Sequence, residues 1–254
     1  MSKYEPTPET TPMTFKNFWR PLGLCAFAMG ACLAAGAHEP QPDWPNLNAY
    51  RSANAQQQSP AKGERRVVFM GDSITEFWAK AQWHPQHINR GISGQTTPQM
   101  LLRFRQDVIA LQPSVVVILA GTNDVAGNTG PATTDMIADN IASMVELAQA
   151  HGIRVVLASV LPASAFYWAP DLRPAEKIVE LNGKIRALAQ RHGCVYLDYF
   201  SPMVNDSLGL KREYSDDGVH PNEVGYITMS RLVQSAIGKA HKSTQPRSAP
   251  GTAR

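Results

Sequence analysis

The chain has 254 residues, 43% of them hydrophobic, and a formal net charge of +3 with histidine neutral. That composition excludes a fibrous or wholly disordered protein, and one domain of this length can enclose a preformed site. So small an excess of cations argues against a nucleic-acid partner.

Taken in chain order, the first segment reads as a targeting signal. Lys16 and Arg20 precede an apolar run from Pro21 to Ala37, which closes on Ala35-Gly36-Ala37, a small-x-small cleavage pattern. The run falls short of the roughly 20 residues a spanning helix needs. Residues 1–37 are therefore read as a cleaved signal peptide, with Met13 as an alternative start. The mature protein is expected to be exported, periplasmic or secreted, with no integral membrane span. Cys32, after Met29-Gly30-Ala31, offers a lipid anchor as the alternative. Cleavage removes a charge of +1, leaving +2, and removes Cys25 and Cys32. The remaining Cys194, in the strand-like stretch HGCVYLD, is read as a buried small hydrophobe rather than a reactive thiol.

Residues 38–63, rich in Pro, Asn and Gln, are read as a linker to a domain spanning 64–240. Within the domain, runs at Val67–Met70, Val115–Leu119, Val155–Val160 and Val195–Leu197 are apolar throughout and rich in β-branched residues. Strands buried on both faces look like this. A shorter strand is expected over His87–Asn89. Helical periodicity fills the intervals: Leu101, Phe104 and Val108 after Thr97-Pro98; Ile137, Ile141, Val145 and Ala148; Ile178, Leu181, Ile185 and Leu188; and a last helix from about Pro221. Such alternation implies right-handed βαβ units and a parallel sheet covered on both faces. The tail, 241–254, is basic and Pro/Ser-rich, and is expected to be disordered.

Sites in such sheets gather at the carboxyl ends of the strands. Three polar clusters fall there: GDSIT after the first strand, NRGISGQT after the second and GTND after the third. Ser73 lies two residues beyond Gly71, where the backbone turns sharply, and is the candidate nucleophile. Thr75 occupies the second glycine position of a G-x-S-x-G elbow, which argues against an α/β-hydrolase fold. In DDGVHPN, Asp217 and His220 share one turn, so the carboxylate can orient the imidazole, with Asp216 as the rival. Oxyanion donors are expected from the backbone N–H groups of Ser73 and Gly94 and the amide of Asn123, with Gly91 as the fallback for Gly94. Phe77, Trp78, Trp83 and the Phe166-Tyr167-Trp168 run are candidates for lining a substrate pocket, Trp78 and Trp168 foremost. The histidines lack metal-ligand spacing, and no cofactor-binding loop is present, so neither metal nor cofactor is expected.

In that order, GDSIT, GISGQT, GTND and DGVHP resemble the four sequence blocks of the SGNH hydrolases, also called the GDSL lipase/esterase family. The resemblance covers about residues 66–240, with Ile74 in place of the Leu of the family name. It implies a flavodoxin-like three-layer α/β/α sandwich on a five-stranded parallel sheet. It also implies a triad of Ser73, Asp217 and His220 and an oxyanion hole of Ser73, Gly94 and Asn123. The expected activity is serine-dependent hydrolysis of a carboxylic ester, in a family that spans lysophospholipases, thioesterases, arylesterases and carbohydrate deacetylases. The expected partner is a small-molecule, glycan or lipid ester. Acyl transfer by the same triad and a non-catalytic carbohydrate- or lipid-binding module are the alternatives.

Overall fold

The structure, a computed structural model, describes residues 43–78 and 87–243. The signal and Cys32, the start of the segment read as a linker, Trp83 and residues 244–254 lie outside them.

Five parallel strands form one sheet: β1 (Val67–Gly71), β2 (His87–Gly91), β3 (Val115–Leu119), β4 (Arg154–Ala158) and β5 (Val195–Leu197). Their order is β2-β1-β3-β4-β5. Central β1 and β3 are buried at every position, which is why their sequences read as unbroken apolar runs. Edge strand β2 is only half-buried over its first three residues, and its pattern is correspondingly weak.

The two faces divide by alternation. Val68, Met70, Val116, Ile118, Val155 and Leu157 join one cluster, with Phe104 of α3 (Thr97–Asp107), Ile137 and Ile141 of α5 (Thr134–Ala150) and Leu181 of α6 (Pro174–Arg191). Val67, Phe69, Val115, Val117 and Val156 join the other, with Ile74 of α2 (Ser73–Trp78) and Met229, Val233 and Ile237 of α8 (Glu223–Lys242). This is the expected three-layer sandwich. One-turn helices α4 (Thr122–Val125) and α7 (Phe200–Met203) complete the connections.

Three boundaries differ from the sequence reading. Helix α3 is capped by Thr96, whose N–H donates to Gln99 Oε1 at 3.0 Å, because Thr97 spends its N–H and hydroxyl on buried Asp124. Helix α8 starts at Glu223, where the Asn222 side chain accepts from Gly225 N–H at 3.1 Å, and it runs on to Lys242, into the segment read as tail. The segment read as a linker is folded onto the domain from Asp43 to helix α1 (Arg51–Gln56). Its anchors are side-chain bonds to isolated carbonyls, which leave no periodic signature.

Gly91 closes β2 where α2 crosses it. A Cβ there would lie 2.2 Å from the Glu76 nitrogen and 2.7 Å from the Asp72 oxygen, both backbone atoms that cannot yield. Gly91→Ala is expected to destabilise the fold by about 3 kcal/mol or more, beyond ordinary overpacking. Chemical denaturation checks this, and an unchanged midpoint would refute it.

Candidate active site

Switch-point topology sets where the site forms. The chain leaves β1 for β2 on one side and returns to β3 on the other, so the loops after β1, β2 and β3 converge at their carboxyl ends. Ser73 opens α2 directly after β1, Gly94 lies in the loop after β2, and Asn123 lies on α4 after β3. Asp217 and His220 arrive from the turn preceding α8. All five line one cleft of about 420 Å³.

The side chains form a continuous relay. Ser73 Oγ lies 2.9 Å from His220 Nε2, and His220 Nδ1 lies 2.7 Å from Asp217 Oδ2. Asp217 Oδ1 also accepts from the backbone N–H groups of Val219 and His220, each at 2.8 Å, and from the Ser215 hydroxyl at 3.1 Å. Partial burial raises the Asp217 carboxyl, but the His220 side chain and these N–H groups outweigh it, so its pKa lies below the usual carboxylate value. Asp217 is thereby held ionised and aimed. Gly218 makes the tight turn possible by adopting φ +81°. Exposed Asp216 makes no hydrogen bond to His220, which removes it as the rival.

The residues expected to supply oxyanion donors occupy the same edge. Gly94 sits at φ +76°, a conformation other residues reach only with strain. The N–H of Gly91, the fallback, donates to Asn89 Oδ1 at 2.8 Å. Asn123 Nδ2 donates to the Gln95 carbonyl at 3.1 Å and makes only a long, 3.4 Å contact with Asp72 Oδ2. The Asn123 carbonyl accepts from Asn128 Nδ2 at 2.9 Å, which fixes the orientation of the amide.

Asn128 is a site residue that the sequence reading missed. It also donates to the Gly94 carbonyl at 3.2 Å and accepts from Trp168 Nε1 at 3.2 Å, so it joins the loops after β2, β3 and β4. Its only sequence signal is a polar residue at the same strand edge, five positions after Asn123.

The aromatic candidates separate by burial. Trp78 is 3% exposed, lies in the core against Phe69, Tyr199 and Tyr226, and donates to Ser230 Oγ at 3.2 Å. It does not line the cleft, because the helical turn from Ser73 points it inward. Phe166 is likewise buried. Phe77, Tyr167 and Trp168 do line the cleft and are exposed, with ring centroids 5.4, 6.4 and 6.4 Å from His220. Cys194 is half-buried, packed against the core and away from this cleft. Among the described residues no cluster of side chains could hold a metal ion, and no helix is long and apolar enough to cross a membrane.

The model of the GDSL-like lipase/acylhydrolase family matches residues 69–226. This chain belongs to that family. A GDSL-like lipase of Bacteroides thetaiotaomicron superposes with a TM-score of 0.75 at 47% identity, covering 78% of this chain and all of that one. An acetylxylan esterase of Xylanibacter ruminicola is 24% identical over 70% of this chain and 44% of its own length. The uncharacterised lipoprotein YqeF of Bacillus subtilis is 35% identical over 40% of this chain and 50% of its own length. The chain thus spans about half the length of the curated relatives it matches.

Beneath Ser73, the Asp72 carboxyl is 1% exposed, and among the described residues it forms no salt bridge. Burial pushes it up to about 7, while the Ile74 N–H and the nearby His220 pull it down. Its proton is favoured by the fold, so its contribution to stability is complete below the ordinary carboxylate range and is lost as pH rises through about 7. Asp72→Asn is therefore expected to flatten the fall in stability between about pH 4 and pH 7. Thermal unfolding of both proteins across that range checks this, and parallel curves would refute it.

Proposed function

We propose that this family member is a serine-dependent carboxylic ester hydrolase working through an acyl-enzyme on Ser73. The observation that carries the reading is the unbroken Ser73–His220–Asp217 relay, at 2.9 and 2.7 Å, opening into the cleft that Gly94 and Asn123 line. His220 Nε2 takes the Ser73 proton as Oγ attacks the ester carbonyl. The N–H groups of Ser73 and Gly94 and the Asn123 amide receive the oxyanion. Collapse expels the alcohol, which takes the proton from His220. A water, deprotonated by His220, then releases the acid and frees Ser73. Asp217 stays ionised throughout and stabilises the imidazolium.

The surroundings of His220 speak to the alcohol. Because His220 protonates the leaving oxygen, the leaving group lies beside it, and there the exposed rings of Phe77, Tyr167 and Trp168 gather. Flat apolar faces with Ser93 and Asn128 nearby suit the C–H and hydroxyl groups of a sugar. Similarity to an acetylxylan esterase supports a short acyl group on a carbohydrate. The signal-like N-terminus and the likeness to a lipoprotein support an exported enzyme. A non-catalytic binding module has no use for the relay. Acyl transfer shares every step up to the acceptor, and the products formed with added alcohols separate the two.

Ser73→Ala is expected to lose p-nitrophenyl acetate hydrolysis by at least about 10³-fold, and Asp217→Asn by a similar order, with circular dichroism unchanged. Wild-type turnover by Ser73→Ala would overturn the reading. Trp168→Ala is expected to raise KM severalfold for acetylated xylo-oligosaccharides and to leave kcat/KM for ethyl acetate unchanged. Equal effects on both substrates would remove the sugar platform.

A further inference from the structure

The segment Asp43–Gln56 lies outside the stretch matched by the family, yet it reaches the oxyanion donors through buried side chains. Gln95 is the junction. It is 1% exposed, and its backbone carbonyl receives Asn123 Nδ2 at 3.1 Å. Its side-chain oxygen accepts from Arg103 Nε at 2.5 Å, and its Nε2 donates to the Pro45 carbonyl at 2.8 Å. Arg103, fully buried, also donates to the carbonyls of Gly71 and Arg90 and pairs with Asp107 at 3.1 Å.

The N-terminal segment closes this network from outside. Asn54 Oδ1 accepts from Arg90 at 2.7 and 2.9 Å, while Asn54 Nδ2 donates to Asp107 at 2.6 Å. One side chain thus links a cation to the anion that also serves Arg103. The Tyr50 hydroxyl donates to the Gly91 carbonyl, and Arg90 lies 4.7 Å over the Tyr50 ring. These bonds converge on the base of the loop that carries Gly94.

We propose that residues 43–56 are a positioning clamp for the oxyanion hole, acting through Gln95 on Asn123 and the Gly94 loop. The inference rests on Asn123 and Gly94 being the oxyanion donors. A clamp of this kind contributes in the transition state, because the donors must meet a charge that exists only there. Misplacement by an ångström is enough to cost on the order of 10²-fold in rate.

The test uses the full chain carrying Gln95→Met and, separately, Tyr50→Phe/Asn54→Ala, assayed well below their unfolding midpoints. Each is expected to lower kcat for p-nitrophenyl acetate about tenfold or more, with KM within about twofold. Affinity for an alkylboronic acid, whose tetrahedral adduct on Ser73 imitates the oxyanion, is expected to fall by the same factor as kcat. Lowered melting temperatures with unchanged kcat and boronate affinity would mark the segment as purely structural and overturn the proposal. Wild-type activity in Asn123→Ala would instead remove the donor assignment beneath it, which keeps the two failures apart.

Discussion

One buried guanidinium holds together the corner on which the site is built. At the carboxyl ends of β1 and β2 the carbonyls of Gly71 and Arg90 lie away from water and can take second donors, as Gly71 already accepts from the Ile92 N–H at 3.1 Å. Arg103 supplies them, and Asp107 on the same helix answers its charge. Both side chains are 0% exposed, so neither charge has solvent to fall back on. Removing one partner of such a pair typically costs about 3–5 kcal/mol. The turn into Ser73 and the loop toward Gly94 both spring from the carbonyls that this network fixes.

Two carboxyls on either side of Ser73 sit in opposite environments. Asp217 is partly open to solvent, richly hydrogen-bonded and held ionised. Asp72 is sealed beneath the proposed nucleophile, and burial favours its proton. A second full negative charge below Ser73 would oppose an oxyanion forming above it. Depth and hydrogen bonding therefore move the pKa values of the two carboxyls in opposite directions although they are the same functional group.

Much of this was readable in the residues, for physical reasons that differ from place to place. Strands β1 and β3 announced themselves because both faces are buried, whereas half-exposed β2 barely did. Asp217 and His220 were legible because a hydrogen bond three residues long is a local event. Trp78 misled because its distance from Ser73 in sequence says nothing about which way a helix turns it. Asn128 and the segment 43–56 were illegible because side chains bonded to scattered carbonyls follow no period.

Ser73 and His220 stand 147 positions apart, and the histidine enters on the turn that delivers the final helix. The relay is thus among the longest-range contacts in the domain, and closing it depends on every βα unit between. A growing or partly folded chain holds Ser73 without the His220 contact. On the proposed reading, ester hydrolysis therefore waits on the docking of α8, so that completing the fold also completes the site.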